Sequence, residues 1–336
     1  MKKIIVTGGA GYIGSHTVVE LYNNGFEPII VDNFSNSDKS VLDGIQGILG
    51  VKIKLYEGDC TDKTFMRGVF RIEEPYGAIH FAAYKAVGES VKKPLKYYHN
   101  NIESLVILLG CMQEFNCNNL VFSSSCTVYG TPDKLPVTEE SPIKKAESPY
   151  GNTKQIAEQI IDDVINSSDS LSAIALRYFN PIGAHPSAKI GELPIGVPNN
   201  LIPYVTQTAA GFRDELTIFG DDYNTPDGTN IRDYIHVVDL ALAHVKTLQY
   251  LEKQSNHFDF INIGTGKGNS VLEVVETFKK VNGAPLPYKI GKRRAGDVEQ
   301  VYASVDKSKS LLNWETELNL EDALRDAWKW QMSLIQ

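Results

Sequence analysis

Tyr150 and Lys154 stand four residues apart, in a Tyr-x-x-x-Lys pattern at the start of a helix predicted over residues 150–165. That spacing puts both side chains on one helix face. A phenol titrates near 10 and is a poor base at neutral pH. A neighbouring ammonium favours the phenolate, and any further positive charge in the site would add to the effect. Lowering the phenol by about three units corresponds to about 4 kcal/mol, which is large for an exposed pair and reasonable in a closed cleft. Alone, the pair reads as a surface helix carrying an incidental Tyr and Lys. The stretch Ser123-Ser124-Ser125-Cys126-Thr127-Val128-Tyr129-Gly130 changes that reading, because Ser125 lies 25 residues before Tyr150 at the end of a predicted strand. Hydroxyls at the carboxyl end of such a strand sit where α/β proteins bind ligands. Ser125 is placed to share a proton with Tyr150 and a substrate oxygen, whereas Ser123 and Ser124 read equally well as a Ser-rich turn.

A phosphate site precedes this group. The first predicted strand runs into Thr7-Gly8-Gly9-Ala10-Gly11-Tyr12-Ile13-Gly14. Gly8, Gly11 and Gly14 form GxxGxxG. Glycine allows a tight turn and a close backbone approach, and the following helix aims unpaired N–H groups at a pyrophosphate. A glycine-rich loop by itself is weak evidence, but its place between the first strand and the first helix is the required context. Asp32 ends the second strand, 18 residues beyond Gly14. A carboxylate there accepts bonds from ribose hydroxyls and repels a 2′-phosphate, and residues 33–37 contain no Arg, so NAD is favoured over NADP. Asp59, in Gly58-Asp59-Cys60, is a weaker candidate for the adenine edge.

These residues need a scaffold. Strands are predicted at 3–7, 28–31, 52–56, 78–82, 120–124 and 173–178, and helices at 12–24, 38–48, 62–73, 94–115 and 150–165. Alternation of this kind means repeated βαβ units and a doubly wound parallel sheet of Rossmann type. After about residue 180 the texture changes. Pro181, Pro186, Pro194, Pro198 and Pro203 interrupt a loop-rich region that long helices cannot cross. Strands at 216–219, 233–237 and 259–263 and helices at 238–251, 270–281 and 320–334 follow. The expected organisation is a dinucleotide-binding domain over 1–180 and a smaller mixed α/β domain over 181–336, with later segments free to cross back. In the second half, Arg232 and Arg294 offer the planar guanidinium donors a diphosphate requires, although each taken singly reads as a surface charge.

Composition sets limits on function. The chain has 336 residues, 42% hydrophobic and 22% charged, with a net charge of -8. That is ordinary for a soluble globular protein, and an acidic surface argues against sequence-blind nucleic-acid binding. The four cysteines, Cys60, Cys111, Cys117 and Cys126, form no CxxC pair, and the seven histidines form no HxxxH pair. Neither a disulfide framework nor a metal site is expected, and Cys126 reads as a small packing residue. No apolar run approaches a membrane span. Glycines interrupt the N-terminal apolar stretch too early for a signal peptide, so a cytoplasmic protein is expected.

The chain resembles the extended short-chain dehydrogenase/reductases, and among them the UDP-galactose 4-epimerases, essentially end to end. The resemblance is carried by the glycine loop through His16, Lys85-Ala86-Val87-Gly88-Glu89-Ser90, Ser124 to Gly130, Ser148-Pro149-Tyr150-Gly151, Arg177-Tyr178-Phe179-Asn180-Pro181, Gly228 to His236, and Arg293-Arg294-Ala295-Gly296-Asp297. The resemblance implies that Tyr150 is base and acid at the sugar O4, that Lys154 tunes it and binds the nicotinamide ribose, and that Ser125 and Thr127 hydrogen-bond the substrate. It implies an NAD site lined by Gly8, Gly11, Tyr12, Ile13, Gly14, Asp32, Asn33, Asp59, Cys60, Phe81, Ala82, Lys85, Asn100 and Phe179. It implies a UDP-sugar site formed by Asn180, Asn200, Leu201, Thr217, Phe219, Arg232, Arg294, Asp297 and Val301. At the Val301 position the family varies residue size beside the sugar, and valine is intermediate, which makes UDP-N-acetylglucosamine an expected secondary substrate. Family members are commonly homodimers, through helices equivalent to 94–115 and 150–165. Related 4,6-dehydratases carry Asp-Glu after the Ser/Thr, where this chain has Thr127-Val128. A nucleotide-sugar decarboxylase stays open. A non-enzymatic NAD sensor would be expected to lack the Ser, Tyr or Lys.

Overall fold

The residues of the first strand explain the architecture. Ile4, Ile5 and Val6 are all inaccessible to solvent. Ile4 and Val6 join one apolar cluster and Ile5 joins another. Alternate side chains of a strand point to opposite faces, so a strand apolar at every position needs cover on both. The computed structural model describes residues 1–294 and 297–335 and provides that cover.

The first half runs β1 (Lys2–Thr7), α1 (Tyr12–Asn23), β2 (Phe26–Asp32), α2 (Ser40–Leu49), β3 (Lys54–Glu57), α3 (Lys63–Glu73), β4 (Gly77–His80), α4 (Val87–Lys92), α5 (Pro94–Glu114), β5 (Asn119–Ser125), a 3-10 turn (Cys126–Tyr129), α6 (Pro149–Asn166) and β6 (Ser172–Tyr178). The remainder runs β7 (Asn180–Ile182), α7 (Leu201–Ala209), β8 (Leu216–Phe219), β9 (Ile231–His236), α8 (Val237–Leu251), β10 (Phe258–Ile263), β11 (Gly268–Ser270), α9 (Val271–Asn282), β12 (Tyr288–Gly291), β13 (Gln300–Val301), α10 (Asp306–Leu312) and α11 (Leu320–Ser333). The main sheet has the order β10-β6-β5-β4-β1-β2-β3, with every pairing parallel. This is the doubly wound order in which the carboxyl ends of β1 and β4 flank the topological switch.

Val18, Val19 and Leu21 of α1, Ile45 of α2, Leu240 and Leu248 of α8 and Leu312 of α10 cover one face. Met66 and Phe70 of α3, Leu105 and Leu109 of α5 and Ile161 of α6 cover the other. α8 and β10 come from the second half of the chain. A third core joins α7, β8, β9, α9 and α11 through Ile202, Ile218, Tyr234, Phe278 and Leu324. β9 of this core belongs to the β11-β9-β13 sheet, with β7 also paired to β9, and β8 to the β12-β8 ribbon.

Three short helices, α4, α7 and α10, escape the pattern read from sequence. α7 lies in the proline-interrupted region, with Pro203 in its first turn, where a missing N–H leaves no intrahelical bond unmade. α4 has only six residues, too few to show a helical period.

Candidate active site

β1 delivers the chain into a cradle that side chains would fill. Gly8 has φ +69°, and a Cβ there would stand 2.8 Å from the Ala82 nitrogen. A Cβ on Gly14 would lie 2.2 Å from the Gly8 carbonyl oxygen. Gly11 caps α1 with no side-chain hydrogen bond, and the first turn of α1 carries no acidic residue. The N–H groups at that helix end suit a pyrophosphate. Asp32 closes the adenosine side: its Oδ2 accepts from the Ala10 N–H at 3.0 Å and its Oδ1 from the Phe34 N–H at 2.9 Å. Ser37 also donates its hydroxyl to Oδ1 at 3.1 Å, so Oδ2 is the oxygen that keeps a further lone pair for a ribose hydroxyl. Asn33 donates to Asp59 at 2.8 Å, and Asp59 also accepts from the Thr61 N–H and hydroxyl. Burial alone would raise the Asp59 carboxyl, but the Thr61 and Asn33 hydrogen bonds hold it below its ordinary value. Cys60 is buried, and burial pushes its thiol far up, so it is a packing residue. The set fits NAD: a cradle closed to side chains, a carboxylate at the end of β2 and no Arg behind it.

Around this cradle the other candidates take separate positions. Tyr12 donates its hydroxyl to the Gly183 carbonyl at 2.7 Å, tying the glycine loop to the turn after β7. Ile13 packs on the main core, and the Phe81 ring lies tilted at 52° against His244, 4.8 Å between ring centres. Lys85 is exposed and reaches Glu192 at 3.4 Å. Asn100 donates to Asn101, which bonds Tyr84 and the Thr153 hydroxyl of α6. Phe179 is buried beside Val301, Val128 and Tyr129.

β5, the 3-10 turn and α6 bring the reactive groups together. Ser148 caps α6 by accepting from the Gly151 N–H, which starts the helix one residue ahead of Tyr150. Lys154 is 5% exposed, and its Nζ donates to the Ser123 carbonyl at 2.5 Å. The same nitrogen stands 6.0 Å from the centre of the Tyr150 ring. Burial pushes Lys154 down to about 8, opposed by Glu158. Burial pushes Tyr150 up to about 12, against a smaller pull from the Ser125 hydroxyl. Desolvation outweighs the other effects on Tyr150, so the phenol lies above its ordinary value and not below it as the Tyr-x-x-x-Lys spacing leads one to expect. Ser125 is buried and accepts from the Thr127 N–H at 3.3 Å. The Thr127 hydroxyl is buried with no partner among the described residues. Tyr178, one residue beyond Arg177, shares a hydrogen bond with Ser123.

The second half places its charges against this turn. Val301 pairs with Arg232 across β13 and β9. Arg232 is near enough to Cys126 to lower its thiol, although burial keeps that thiol at about 12. Arg294 grips Asp297 with two bonds, at 2.9 and 3.2 Å, and its guanidinium lies 4.9 Å over the Phe219 ring. Ala295 and Gly296 of this motif lie outside the described residues. Thr217 neighbours Phe219 on β8. Asn180 begins β7, and Asn200 and Leu201 stand at the start of α7. Asn200 donates to Glu192 at 2.5 Å, so one carboxylate holds both Lys85 and Asn200.

Sequence reasoning missed Tyr223, whose buried hydroxyl has no partner among the described residues. Burial raises it, and the fields of Asp297, Arg293, Arg232 and Arg294 all reach it. Glu192 was also missed. Both lie in irregular segments without a period, and no local spacing marks them.

The arrangement can hold a dinucleotide at the mouth of a parallel sheet, an anionic second ligand on Arg232 and Arg294, and an oxygen of that ligand between Ser125 and Tyr150. Comparison with known proteins gives the same direction. Residues 5–327 match the family model described as GDP-mannose 4,6 dehydratase. A UDP-glucose 4-epimerase of Bacillus subtilis is 50% identical over 99% of this chain and 97% of its own. One from Arabidopsis thaliana is 49% identical over 98% and 95%. The crystal structure of a UDP-glucose 4-epimerase from Stenotrophomonas maltophila, with bound NAD and formylated UDP-arabinopyranose, superposes with a TM-score of 0.97 at 45% identity, covering 100% of this chain and 99% of that one. The Bifidobacterium longum enzyme, in complex with NAD+ and UDP, superposes at 0.95 with 46% identity, covering 98% of each. With Thr127-Val128 where the dehydratases carry Asp-Glu, and near-half identity to epimerases along the whole chain, the protein belongs to the extended short-chain dehydrogenase/reductases and, within them, to the UDP-glucose 4-epimerase family.

Proposed function

We propose that this chain interconverts UDP-galactose and UDP-glucose, with NAD as a retained cofactor. The observation that carries the reading is the meeting of Ser125, Tyr150 and Lys154 at the carboxyl ends of β5 and β6 with the Arg232 segment against the same turn. Gly8, Gly11 and Gly14 receive the pyrophosphate. Asp32 and Asn33 receive the ribose. Asp59 and Cys60 border the adenine, and Tyr12, Ile13, Phe81, Ala82, Lys85, Asn100 and Phe179 line the remainder. NAD, when bound, supplies a reversible hydride acceptor, through which sugar C4 passes to the keto level and back. Tyr150 takes the O4 proton and returns it, and Ser125 and Thr127 orient that oxygen. Lys154 holds positive charge beside the phenol. Arg232 and Arg294 hold the diphosphate, and Asn180, Asn200, Leu201, Thr217, Phe219 and Asp297 hold the rest of the nucleotide-sugar. Anchoring by the remote nucleotide retains the keto-sugar while leaving the sugar ring free to turn over.

The division near residue 180, with the cofactor before it and the UDP-sugar after it, belongs to this proposal. So do a cytoplasmic location and a homodimer through α5 and α6; among the described residues, no helix is long and apolar enough to cross a membrane. The deciding experiment incubates the purified protein with UDP-galactose and no added reductant. Appearance of UDP-glucose supports the epimerase, an accumulating keto-sugar supports a dehydratase, and an unchanged mixture ends the catalytic reading.

A second substrate is favoured by Val301. It packs with Phe179 in one small apolar cluster, and a valine there leaves more room than an aromatic ring. UDP-N-acetylglucosamine is the expected additional substrate, and Val301→Tyr should abolish its conversion while sparing UDP-galactose. No N-acetyl conversion by the wild type would end this extension.

A further inference from the structure

Two turns beyond Tyr150 and one beyond Lys154, α6 carries Glu158, which is 5% exposed. Its carboxylate receives three donors. Ser124 donates to Oε1 at 2.6 Å, and Arg177 donates from Nε at 2.9 Å and from Nη2 to Oε2 at 2.6 Å. Arg177 is the largest fully buried side chain among the described residues. Its Nη1 donates to the Tyr129 hydroxyl at 3.1 Å, and its plane lies 3.8 Å over the Phe260 ring of β10. Tyr129 in turn donates to Asn262 at 2.7 Å, and Asn262 donates to the Val137 carbonyl at 2.9 Å. None of these polar side-chain atoms is left without a partner.

A closed buried network has a cost to explain. Two charges taken out of water recover little beyond what apolar side chains of equal volume would give, so stability is a weak reason for the pair. Its placement offers a better one. Four members stand close to residues of the proposed site. Ser124 precedes Ser125, and Arg177 lies two residues before Phe179 on the same strand end. Tyr129 ends the turn that holds Thr127, and Glu158 shares a helix face with Lys154 and Tyr150. A two-pronged guanidinium–carboxylate contact fixes both the rotation and the axial position of α6 against β5 and β6, which sliding apolar surfaces do not.

We infer that Glu158 and Arg177 form a buried clamp that sets the register of α6 against the ends of β5 and β6, and so act as positioning residues for Lys154, Tyr150 and Ser125. The inference rests on the epimerase reading above. A displacement of about 1 Å at a reacting group costs about a hundredfold in rate. The clamp touches none of the residues assigned to the diphosphate, so its loss should appear in kcat and leave nucleotide binding alone.

The test uses holoenzyme in three forms: wild type, Glu158→Gln, and the double variant Glu158→Met with Arg177→Met. Turnover of UDP-galactose, its KM, UDP affinity by calorimetry and thermal unfolding are measured on each. The expected result is a kcat at least about tenfold lower in both variants, with KM and UDP affinity within about threefold of wild type. The double variant is expected to unfold cooperatively near the wild-type temperature, because an apolar pair can replace a buried ion pair. A folded double variant with kcat within about threefold of wild type overturns the inference. So does a loss of UDP affinity matching the loss in kcat, which would mark general distortion. A double variant that cannot fold overturns it as well, since the pair would then serve folding. Wild-type protein that binds UDP but converts nothing would remove the epimerase reading itself, an outcome the wild-type arm identifies separately.

Discussion

Lys154→Met removes one positive charge from the site while keeping the length of the side chain. That charge stands 6.0 Å from the centre of the Tyr150 ring. With an effective dielectric near 20, a unit charge at this distance contributes about 3 kcal/mol to a phenolate. The same energy is about 2 pKa units, and so about a hundredfold in the fraction of Tyr150 ionised at neutral pH. Burial keeps salt from screening the interaction. If Tyr150 acts as the base, kcat for UDP-galactose at pH 7 should fall about a hundredfold in the variant. The pH dependence carries a sign. Burial brings Lys154 down to about 8, so its charge is present below that pH and is lost above it. The wild-type advantage should therefore shrink as pH rises through 8 towards 10. The assay is initial rate at saturating substrate, with product separated by chromatography, at each pH for both proteins. A variant within about threefold of wild type at pH 7, or a constant ratio from pH 7 to 10, would refute the electrostatic role.

Tyr150→Phe should leave UDP affinity intact and reduce kcat by about 100-fold to 10,000-fold, the usual worth of a general acid–base group; near-normal turnover would remove Tyr150 as the base. Gly14→Ala puts a Cβ 2.2 Å from the Gly8 carbonyl oxygen, so the purified variant should lose bound NAD and about 1–3 kcal/mol of stability, as read by cofactor content and denaturant unfolding. Lys154 releases its proton near 8 in the folded protein, whereas the unfolded chain holds it to about 10.5. Between those values the unfolded state binds more protons, so this residue makes stability rise with pH. In NAD-free protein, Lys154→Met should therefore raise the unfolding free energy at pH 7 by about 2 kcal/mol, after the lost hydrogen bond to Ser123 is subtracted, and the gain should vanish near pH 10.5; a destabilised variant at pH 7 would contradict the burial penalty.

The first half of the chain was legible because its signals are local. A strand such as 3–7 that is apolar at consecutive positions admits few placements, and the glycine spacing after it admits fewer still. Tyr150 and Lys154 were legible through one helical turn. The electrostatic state of that pair was not. The desolvation of Tyr150 depends on how α6 seats against β5, so its rise to about 12 appears only in three dimensions. Glu158 and Arg177 were equally silent. They are 19 residues apart, each is an ordinary surface residue by type, and only their burial distinguishes them. In the second half, Asn200 was named through resemblance alone, Arg232 through its guanidinium chemistry and resemblance together, and Tyr223 and Glu192 not at all, since irregular loops carry no period from which a contact can be inferred.

The two halves of the site differ in chemistry, and that difference predicts how mutations should sort. Arg294, Asp297 and Phe219 form a partly exposed charged group on the smaller cores, suited to gripping a solvated diphosphate with modest rearrangement. Ser125, Lys154 and the network behind them are buried at the ends of the large sheet, where a polar atom has no water to fall back on. Substitutions in the first group remove interactions that substrate and transition state share, and should raise KM with little change in kcat. Substitutions in the second should lower kcat with little change in KM. Glu192 is the position where this separation should fail. Its carboxylate holds Lys85 from the proposed cofactor side and Asn200 from the proposed substrate side, so Glu192→Gln should weaken UDP binding and NAD retention together. If calorimetry and cofactor content showed only one of the two affected, the carboxylate would belong to a single site and the coupling between the halves would have to run elsewhere.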